Sequence, residues 1–524
     1  MSVIAPQVVD HIQEFGSQNV ANTAWAFASL RIEDGPVMAA IAHFTAKRSD
    51  EFAAQGLANT VWAFATLGVL NRPVVEAIAS EITQRSASSF TSQGLANTAW
   101  AFAMLSVEDV PVLEAISGRL PVLAKKMPFR ELAMTAWSFA TLAYSNAPVL
   151  TVIGEAAMSV LETTPIEICG RGRSPEACPA EMLGAMAGAL GELSALPSGY
   201  LERASAALSH AAAALDSART SDAIRPDTEL REDVPGVLQA KPGIMVLWKP
   251  SGWVVDVSGD TAQSFIASAR PDGEPAAEES WKISDWNEAV SISTWLARTL
   301  GSRSPISADP AAQHGILHRL DVETSGPVLC ATSYDGYVSA LLQFGARRVL
   351  KEYVCLCRGW LSPEVHFIDQ PLRYGQRQAE ELAGREVHGL RHARTEILAV
   401  GHFTADEPVS LVLVRLHTGR RNQIRAHLRY KGHPLIGDDV YGDGPTPWCQ
   451  RLFLHSYHLG VNIGSDRVQT FCSLPAQLEV ALRGLVPRNE HARRLQTHWL
   501  ASDSDKQATL SACKRAGWDQ VRKK

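Results

Sequence analysis

The stretch HGILHRLDVETSG, residues 314–326, places one carboxylate, Asp321, between an apolar run and a tight turn. The apolar residues before it predict a short strand that runs into Asp321, and residues 328–331 predict a second strand after a turn at 324–326. An isolated aspartate in a loop is usually a solvated turn residue. A carboxylate at the end of a predicted strand, beside Arg319 and before a tight turn, is also placed for chemistry, so both interpretations stay open at this point.

Three other motifs accompany this stretch. KPSG at 249–252 follows a predicted strand and by itself indicates only a turn. RRVLKEYV at 347–354 predicts a strand in which Lys351 and Tyr353 lie on the same face. The longest motif, HTGRRNQIRAHLRYKGHPLIGDDVYG at 417–442, predicts a turn followed by a helix with a basic edge.

Together these motifs resemble the signature of the RluA-type pseudouridine synthases, in which the aspartate of HRLD is the catalytic residue, here Asp321. The resemblance covers about residues 241–487 and implies an α+β fold with a mixed, mostly antiparallel sheet. It also implies that no metal and no cofactor are needed, because converting uridine to pseudouridine involves no redox change, hydrolysis or phosphoryl transfer. One position departs from the family: Asn422 stands where a histidine is usual, at a position thought to support the loop.

The resemblance implies a role for each residue around Asp321. Tyr353 would stack on the target base, and Arg425 of the QIR motif, with Arg420 as second choice, would keep Asp321 ionised. Because a uridine inside a helix is unreachable, it must flip out, and Arg319 would help to fill the vacated space. The expected catalytic residues are therefore Asp321, Tyr353 and Arg425.

RNA is the expected partner of this region. Six cationic residues lie from Arg415 to Lys431 in a chain whose net charge is −6, which favours phosphate contacts over a solvated basic helix. The expected RNA-binding residues are His318, Arg319, Lys351, Arg420, Arg421 and Arg429. The sequence does not distinguish ribosomal, transfer or messenger RNA as the substrate.

Composition limits the other classes of function. The chain has 524 residues, 46% hydrophobic and 20% charged, which predicts about three globular units at roughly 150 residues each. No apolar run approaches the ~18 residues of a membrane-spanning helix, so we expect no membrane partner. The eight cysteines lack the spacing of a zinc set, so we expect reduced thiols and no bound metal.

The N-terminal third contains four copies of one phrase. They are NTAWAFASL at 22, NTVWAFATL at 59, NTAWAFAML at 97 and MTAWSFATL at 134. Intervals of 37, 38 and 37 residues separate their tryptophans, which are Trp25, Trp62, Trp100 and Trp137. Recurrence at this period predicts an α-helical repeat solenoid built from helical hairpins.

An asparagine recurs inside the first helix of three copies, at Asn22, Asn59 and Asn97. We expect it to bond the backbone of the next repeat rather than a base, because buried amides are usually satisfied internally. The phrase QGLANTAWAFA resembles octotricopeptide-type repeats, related to those of FAST-kinase-like proteins, over roughly residues 1–160. The resemblance implies RNA binding. Similar helical arrays also bind protein, so a protein partner for the repeats stays open.

These observations divide the chain into four segments. We expect helical repeats over 1–215, with the last part degenerate, a linker over 216–240, a catalytic domain over 241–487 and a tail over 488–524. Residues 258–312 separate KPSG from HRLD and predict a surface insertion in the catalytic domain.

The leading hypothesis is an RNA pseudouridine synthase whose helical repeats aid RNA binding. Two alternatives stay open, namely a catalytically inactive RNA-binding protein and a protein-interaction scaffold. The N-terminus shows no signal or transit peptide. The compartment is therefore undecided: a chloroplast or mitochondrion if a leader is missing, otherwise the cytoplasm or nucleus.

Overall fold

The computed structural model describes residues 4–85, 89–163, 179–193, 195–216, 224–255, 291–373, 390–463 and 466–501. Within these residues, the N-terminal part is helical, and the C-terminal part contains β-sheets flanked by helices. No described helix is long and apolar enough to cross a membrane. Most of the predicted insertion, at 258–290, and most of the predicted tail, at 502–524, lie outside the described residues.

Each copy of the repeated phrase forms the first helix of a pair. These first helices are α2 (Ser17–Ser29), α4 (Ala54–Thr66), α6 (Ser92–Met104) and α9 (Phe129–Thr141). The second helices are α3 (Gly35–Lys47), α5 (Arg72–Gln84), α7 (Val110–Ser117) and α10 (Ala147–Thr163). The other helices of this part are α1 (Ile4–His11), α8 (Leu120–Leu123), α11 (Pro179–Glu192) and α12 (Tyr200–Asp216).

Three of the second helices begin with the same N-terminal capping pattern. Side-chain oxygens of Asp34, Asn71 and Asp109 accept hydrogen bonds from the backbone N–H three residues on, at 3.0, 3.2 and 3.0 Å. A proline follows in the first turn of each helix. The cap satisfies an N–H that the helix itself leaves unpaired, and proline is tolerated there, so the sequence fixes where each second helix begins.

The first helices stack in chain order, α2 on α4, α4 on α6, and α6 on α9. Alanines of the phrase, such as Ala24 and Ala99, are fully buried and let the helices approach closely. Phenylalanines such as Phe102 and Phe139 have no exposed surface and fill the layer behind them. Helix α11 packs on α9 and extends the row of stacked helices toward the C-terminal part.

Two antiparallel sheets form the C-terminal part. The smaller sheet has the order β1 (Gly236–Lys241), β2 (Ile244–Lys249) and β3 (Gly326–Ala331). The larger sheet comprises β4 (Leu350–Arg358), β5 (Phe367–Ile368), β8 (Thr395–Thr404), β9 (Pro408–Leu416), β10 (Leu454–Ile463), β11 (Asp466–Phe471) and β12 (Val486–Pro487). Its order is β11-β10-β4-β9-β8-β12, with β5 also paired to β8. A separate pair joins β6 (Leu372–Arg373) to β7 (Leu390–Arg391).

The helices of this part are α13 (Ile292–Leu300), α14 (Tyr334–Gly345), α15 (Gln423–Tyr430), α16 (Ala476–Arg483) and α17 (Glu490–Leu500). Helix α14 packs against both α11 and α12 of the helical part. Glycines permit this contact, because a Cβ atom at Gly184 would lie only 2.9 Å from the Cα of Gly345. Asp216 also accepts hydrogen bonds from the backbone N–H groups of Tyr334 and Asp335, at 2.9 and 3.0 Å. The last repeat helices are therefore joined directly to the sheet-containing part.

The predicted strand before Asp321 does not form. Only one bridge, between Ile316 and Cys330, connects this segment to β3. The reason lies in β3 itself, because the backbone N–H of Leu329 donates to the ring Nε2 of His318 at 2.9 Å. A side chain thus takes a hydrogen bond that a pairing strand would use. Strand β3, which was also predicted, does form.

Three predicted boundaries differ from the structure. The predicted linker ends in β1, whose Val237 N–H donates to Asp227 at 2.7 Å. The described end of the predicted insertion forms α13, whose Leu296 is fully buried in the core. The start of the predicted tail forms α17, which packs on β8 and buries Trp499. The described end of each segment carries apolar side chains that are buried, so that end belongs to the folded part of the chain.

Candidate active site

The loop that carries Asp321 is held by the lysine of KPSG. Lys249 is fully buried, and its Nζ donates to the backbone carbonyls of Pro250, Val322 and Thr324 at 2.9, 3.0 and 2.7 Å. An ammonium has three protons to donate, and the three carbonyls satisfy all of them. KPSG alone indicated only a turn, but its lysine connects the end of β2 to the turn that directly follows Asp321.

Asn422 contacts the carboxylate of Asp321 directly. With the side-chain amide oriented so that its nitrogen faces the carboxylate, Asn422 donates to both oxygens of Asp321 at 3.2 Å. Asn422 has a positive φ of 53° and lies immediately before α15, in a left-handed conformation that asparagine tolerates better than most residues. The residue that departs from the family pattern is therefore the one that holds the candidate catalytic group.

Arg425 has a different principal partner from the one expected. Its guanidinium forms two hydrogen bonds with Asp438, at 2.8 and 2.7 Å, and both side chains are buried. Glu323 and Asp439 lie farther away, each at 3.4 Å. Arg425 therefore acts on Asp321 through its charge while Asp438 fixes its position.

A cavity of about 330 Å³ lies beside Asp321. It brings together seven of the nine residues that the sequence nominated, namely His318, Arg319, Asp321, Lys351, Tyr353, Arg420 and Arg421. Arg425 lies behind the cavity, and Arg429 is exposed on α15 outside its lining. The remaining walls are mainly apolar and include Phe344, Leu416, Ile424 and Leu454, which the sequence did not single out.

Two family models match separate parts of this chain. Residues 244–430, which include the Asp321 loop, Tyr353 and α15, match the model described as RNA pseudouridylate synthase. The C-terminal region contains a pseudouridine synthase domain. Residues 3–166, which include the repeats, match the model described as RNA-editing substrate-binding complex 6 protein.

Curated relatives match the synthase domain over about a third of this chain. An uncharacterised RNA pseudouridine synthase of Chloroflexus aurantiacus is 40% identical over 177 residues, which are 33% of this chain and 54% of that protein. RNA pseudouridylate synthase domain-containing protein 1 of Mus musculus is 31% identical over 199 residues, 35% of this chain and 65% of the relative. Ribosomal large subunit pseudouridine synthase D of Borreliella burgdorferi is 30% identical over 193 residues, which are 36% of this chain and 57% of that protein. The match spans less than two thirds of each relative.

A solved structure titled human RNA Pseudouridylate Synthase Domain Containing 1 is also similar to this chain. It is 22% identical, with a TM-score of 0.34, and the match covers 53% of this chain and 98% of that one.

Burial and nearby charge set the protonation of the two central residues of the synthase domain. Burial raises the pKa of Asp321, while the charges of Arg425 and Arg319 oppose the rise. Burial, followed by the charge of Asp321, raises the pKa of Tyr353, whose ring is only 5% exposed. Tyr353 is therefore a neutral phenol that presents a flat wall to the cavity.

A buried ion network beneath Tyr353 anchors its strand. Glu352, the preceding residue, points to the opposite face of β4 and is fully buried. It accepts hydrogen bonds from Arg415 at 2.7 Å and from Tyr457 and His458 at 2.9 Å each. Burial opposes its ionisation, but the hydrogen bonds from His458 and Arg415 lower the pKa of Glu352 to about 2. The strand that carries Tyr353 is thus fixed from behind.

His318 lines the cavity as a neutral ring rather than as a cation. Burial, with the nearby charge of Lys351, lowers the pKa of His318 to about 3. Its Nε2 accepts the Leu329 N–H, and its ring stacks on Phe344 with centroids 5.2 Å apart. A neutral, stacked imidazole supports the wall of the cavity and supplies no charge for the phosphate contact expected from the sequence.

A second cavity, of about 180 Å³, adjoins the first and carries positive charge. Arg347, Lys351 and Arg420 line it, and none of its described lining residues is acidic. Burial lowers the pKa of Lys351 to about 8, and the charges of Arg420 and Arg347 contribute. Arg347 belongs to the RRVLKEYV motif but was not among the expected RNA-binding residues, because two adjacent arginines before a strand do not reveal which of them faces the cavity.

Proposed function

We propose that this chain is an RNA pseudouridine synthase of the RluA type, which isomerises uridine to pseudouridine in structured RNA. We further propose that its helical repeats form a solenoid that aids RNA binding. The supporting observation is one cavity in which Asp321, held by Asn422 and Lys249, lies with the neutral ring of Tyr353. The names of the relatives and of the two matching family models support the same proposal.

The reaction breaks the N-glycosidic bond, turns the uracil and rejoins it to the ribose through carbon. An ionised Asp321 can attack the sugar or the base, or abstract a proton, and can then leave. The apolar walls at Leu416, Ile424 and Leu454 exclude water from the detached base, so that it rejoins the ribose instead of being lost. Tyr353 would hold the flipped uracil by stacking.

The entrance of the cavity suits a nucleotide drawn out of a helix. Arg319 is exposed at this edge, where it would occupy the space that the base leaves. Arg347, Lys351 and Arg420 form a basic surface beside it, which suits the RNA phosphates on either side of the flipped nucleotide.

An Arg347→Gln variant should bind substrate RNA more weakly, with little change in kcat. When one phosphate contact is lost, the slope of a plot of log Kd against log salt concentration falls by about one. RNA binding measured from about 50 to 300 mM salt tests this expectation. Arg348→Gln is the matched control, because Arg348 is also exposed but lines a different cavity. Equal salt dependence in the two variants would contradict the phosphate role of Arg347.

The decline of kcat/KM at acid pH should reflect the protonation of Asp321. Activity requires the ionised form, and burial raises the pKa of Asp321, so kcat/KM should fall at a higher pH than a solvated aspartate would dictate. Asn422→Ala removes the side-chain nitrogen that donates to both oxygens of the carboxylate, so the pKa of Asp321 should rise further. As the pH is lowered, the variant should therefore lose activity at a higher pH than wild type does. Relative to wild type, we expect roughly a tenfold lower kcat/KM at the acid end, the size of one charged hydrogen bond. Superimposable profiles would refute the contact.

Pseudouridine mapping tests the proposed function as a whole. RNA from cells with and without this protein should differ at one or more uridines, and adding the purified protein to the deficient RNA should restore them. An unchanged map in the deficient cells, together with no new pseudouridine after addition, would reject the synthase proposal.

A further inference from the structure

Helix α14 connects the helical part of the chain to the candidate active site. Phe344, in its last turn, lines both cavities and stacks on His318. Gly345, its last residue, and Arg347, two residues later, line the basic second cavity. The position of this end of α14 therefore decides where these groups lie around a bound RNA.

The C-terminal end of α14 lies directly against the backbone of α11. A Cβ atom added at Gly184 would lie 2.9 Å from the Cα of Gly345, and one added at Gly188 would lie closer still to the carbonyl oxygen of Gly345. Both separations are shorter than 3.0 Å, which Cβ atoms in proteins essentially never are. Glycine allows the approach because it has no side chain. Since a backbone cannot rotate aside as a side chain does, the contact fixes the separation of the two helices at this point.

Helix α12 holds the opposite end of α14. The carboxylate of Asp216 accepts hydrogen bonds from the backbone N–H groups of Tyr334 and Asp335, at 2.9 and 3.0 Å. The first N–H groups of a helix have no partner inside it and carry partial positive charge, so a carboxylate binds them well. The side chain of Ser333 accepts the N–H of Gly336 at 3.1 Å and adds to the cap. The helical part of the chain therefore fixes α14 at both ends.

The apolar core is continuous across the same boundary. One cluster of buried side chains contains Leu190 of α11, Leu342 of α14 and Leu329 of β3. Phe344 is partly buried and packs against this cluster. Because protein interiors are close-packed, a shift of α14 moves its neighbours as well. A displacement imposed at α11 therefore reaches the end of α14 that lines the cavities.

The turn after α14 ties Arg347 to the same contact. Arg347 has a positive φ of 55°, and its N–H donates to the carbonyl of Phe344 at 3.1 Å. The N–H of Arg348 donates to the carbonyl of Gln343 at 3.0 Å. These two bonds form a turn that commonly ends a helix, usually with glycine at the left-handed position. The backbone of Arg347 is therefore fixed to the last turn of α14 and moves with Gly345.

We infer that Gly184 and Gly188 are positioning residues for the proposed synthase reaction, because they set the end of α14 and thereby place Arg347 at the basic cavity. Both glycines are buried, so they act through Arg347 rather than on the RNA. The backbone contact with α11, the cap from α12 and the turn at Arg347 carry the inference together. It rests on the proposed function for the phosphate role of Arg347. The last helices of the N-terminal part thus help to build the active site, whatever the repeats themselves bind.

Three glycines of α11 allow a graded test in the full chain. Gly191→Ala adds a methyl group in open space, Gly184→Ala adds one that overlaps α14, and Gly188→Ala adds the one with the larger overlap. On an RNA that wild type modifies, KM should stay within about twofold of wild type for Gly191→Ala and rise about threefold and tenfold for the other two variants, in that order. The value of kcat should change by less than about threefold, because the catalytic residues lie on other elements.

Binding to a labelled RNA hairpin with uridines in its loop gives a second measure that needs no catalysis. For Gly188→Ala, the slope of a plot of log Kd against log salt concentration should fall by about one, as for Arg347→Gln. The double variant Gly188→Ala/Arg347→Gln should bind within about twofold of Arg347→Gln alone, because both changes remove the same phosphate contact. A purely structural role for Gly188 would lower the melting temperature and leave this slope unchanged.

Thermal melts give the temperature below which every variant is folded, and all assays are run below it. If Gly188→Ala does not fold, Gly184→Ala carries the same comparisons, because its overlap with α14 is smaller. The inference is overturned if the folded variants keep the KM and the salt slope of wild type, or if Gly191→Ala weakens binding as much as they do. It is also overturned if their effects multiply with that of Arg347→Gln, or if Arg347→Gln itself has no effect.

The inference and the proposed function fail separately. Pseudouridine formation by wild type, with unchanged KM and salt slope in the glycine variants, rejects the positioning role and keeps the synthase. A lower salt slope in Gly188→Ala that does not add to that of Arg347→Gln, with no pseudouridine formed by wild type on any RNA, rejects the synthase and keeps the placement of Arg347 by α11.

Discussion

An Asp321→Asn variant is expected to lose pseudouridine formation by at least about 10⁴-fold, because an amide can neither attack the nucleotide as a carboxylate does nor accept its proton. Asparagine has nearly the same shape as aspartate, so the cavity is preserved. Burial raises the pKa of Asp321, which means that the fold disfavours its charge. The neutral variant should therefore be at least as stable as wild type.

The measurement compares product formation, RNA affinity and thermal stability in the same preparation of Asp321→Asn. Product should disappear while Kd for RNA stays within about threefold, because phosphate contacts dominate affinity. Glu323→Gln is the matched control, since Glu323 is the next carboxylate in the loop and does not line the cavity. The assignment of Asp321 is wrong if its variant keeps activity comparable to that of the Glu323 variant.

An Arg425→Met variant is expected to lose about 3–5 kcal/mol of unfolding free energy as well as activity. Asp438 is completely buried, and Arg425 provides its two shortest side-chain hydrogen bonds, at 2.7 and 2.8 Å. Removing the guanidinium leaves a buried carboxylate without its cation. It also removes a positive charge that lowers the pKa of Asp321, so less of that group is ionised at neutral pH.

Urea unfolding checks this prediction, with Arg429→Met as the control. Arg429 lies one helical turn later on α15 but is exposed, so its variant should stay within about 0.5 kcal/mol of wild type. The double variant Arg425→Met/Asp438→Asn should recover part of the lost stability, because it removes the unpaired charge. Similar unfolding midpoints for the Arg425 and Arg429 variants would show that the buried pair does not have this role.

Much of the site follows from motifs whose residues are far apart in the chain. Strand alternation already put Lys351 and Tyr353 on one face, and both line the cavity with Asp321. The helix predicted after the TGR turn forms as α15, because its apolar and basic residues recur at helical spacing. The repeat period likewise predicted the paired helices, because each copy carries the same buried alanines and phenylalanines.

The remaining features depend on contacts that no local pattern encodes. The pairing of Arg425 with Asp438 rather than Asp321 is set by how α15 sits against the following loop. The neutral state of His318 comes from burial, which a motif does not reveal. Asn22, Asn59 and Asn97 were expected to bond the backbone of the next repeat, but among the described residues their side chains have no hydrogen-bond partner. The reason is that the backbone groups of the neighbouring helices bond within those helices, which the repeated phrase alone does not show.

Release of tritium from RNA labelled at C5 of uridine tests the central claim most directly, because forming the carbon–carbon bond expels the hydrogen at that position. Wild-type protein should release one tritium for each pseudouridine formed, and Asp321→Asn should release none. If wild type binds the labelled RNA and releases no tritium, the chain is an RNA-binding protein without synthase activity, and the role given to Asp321 is wrong.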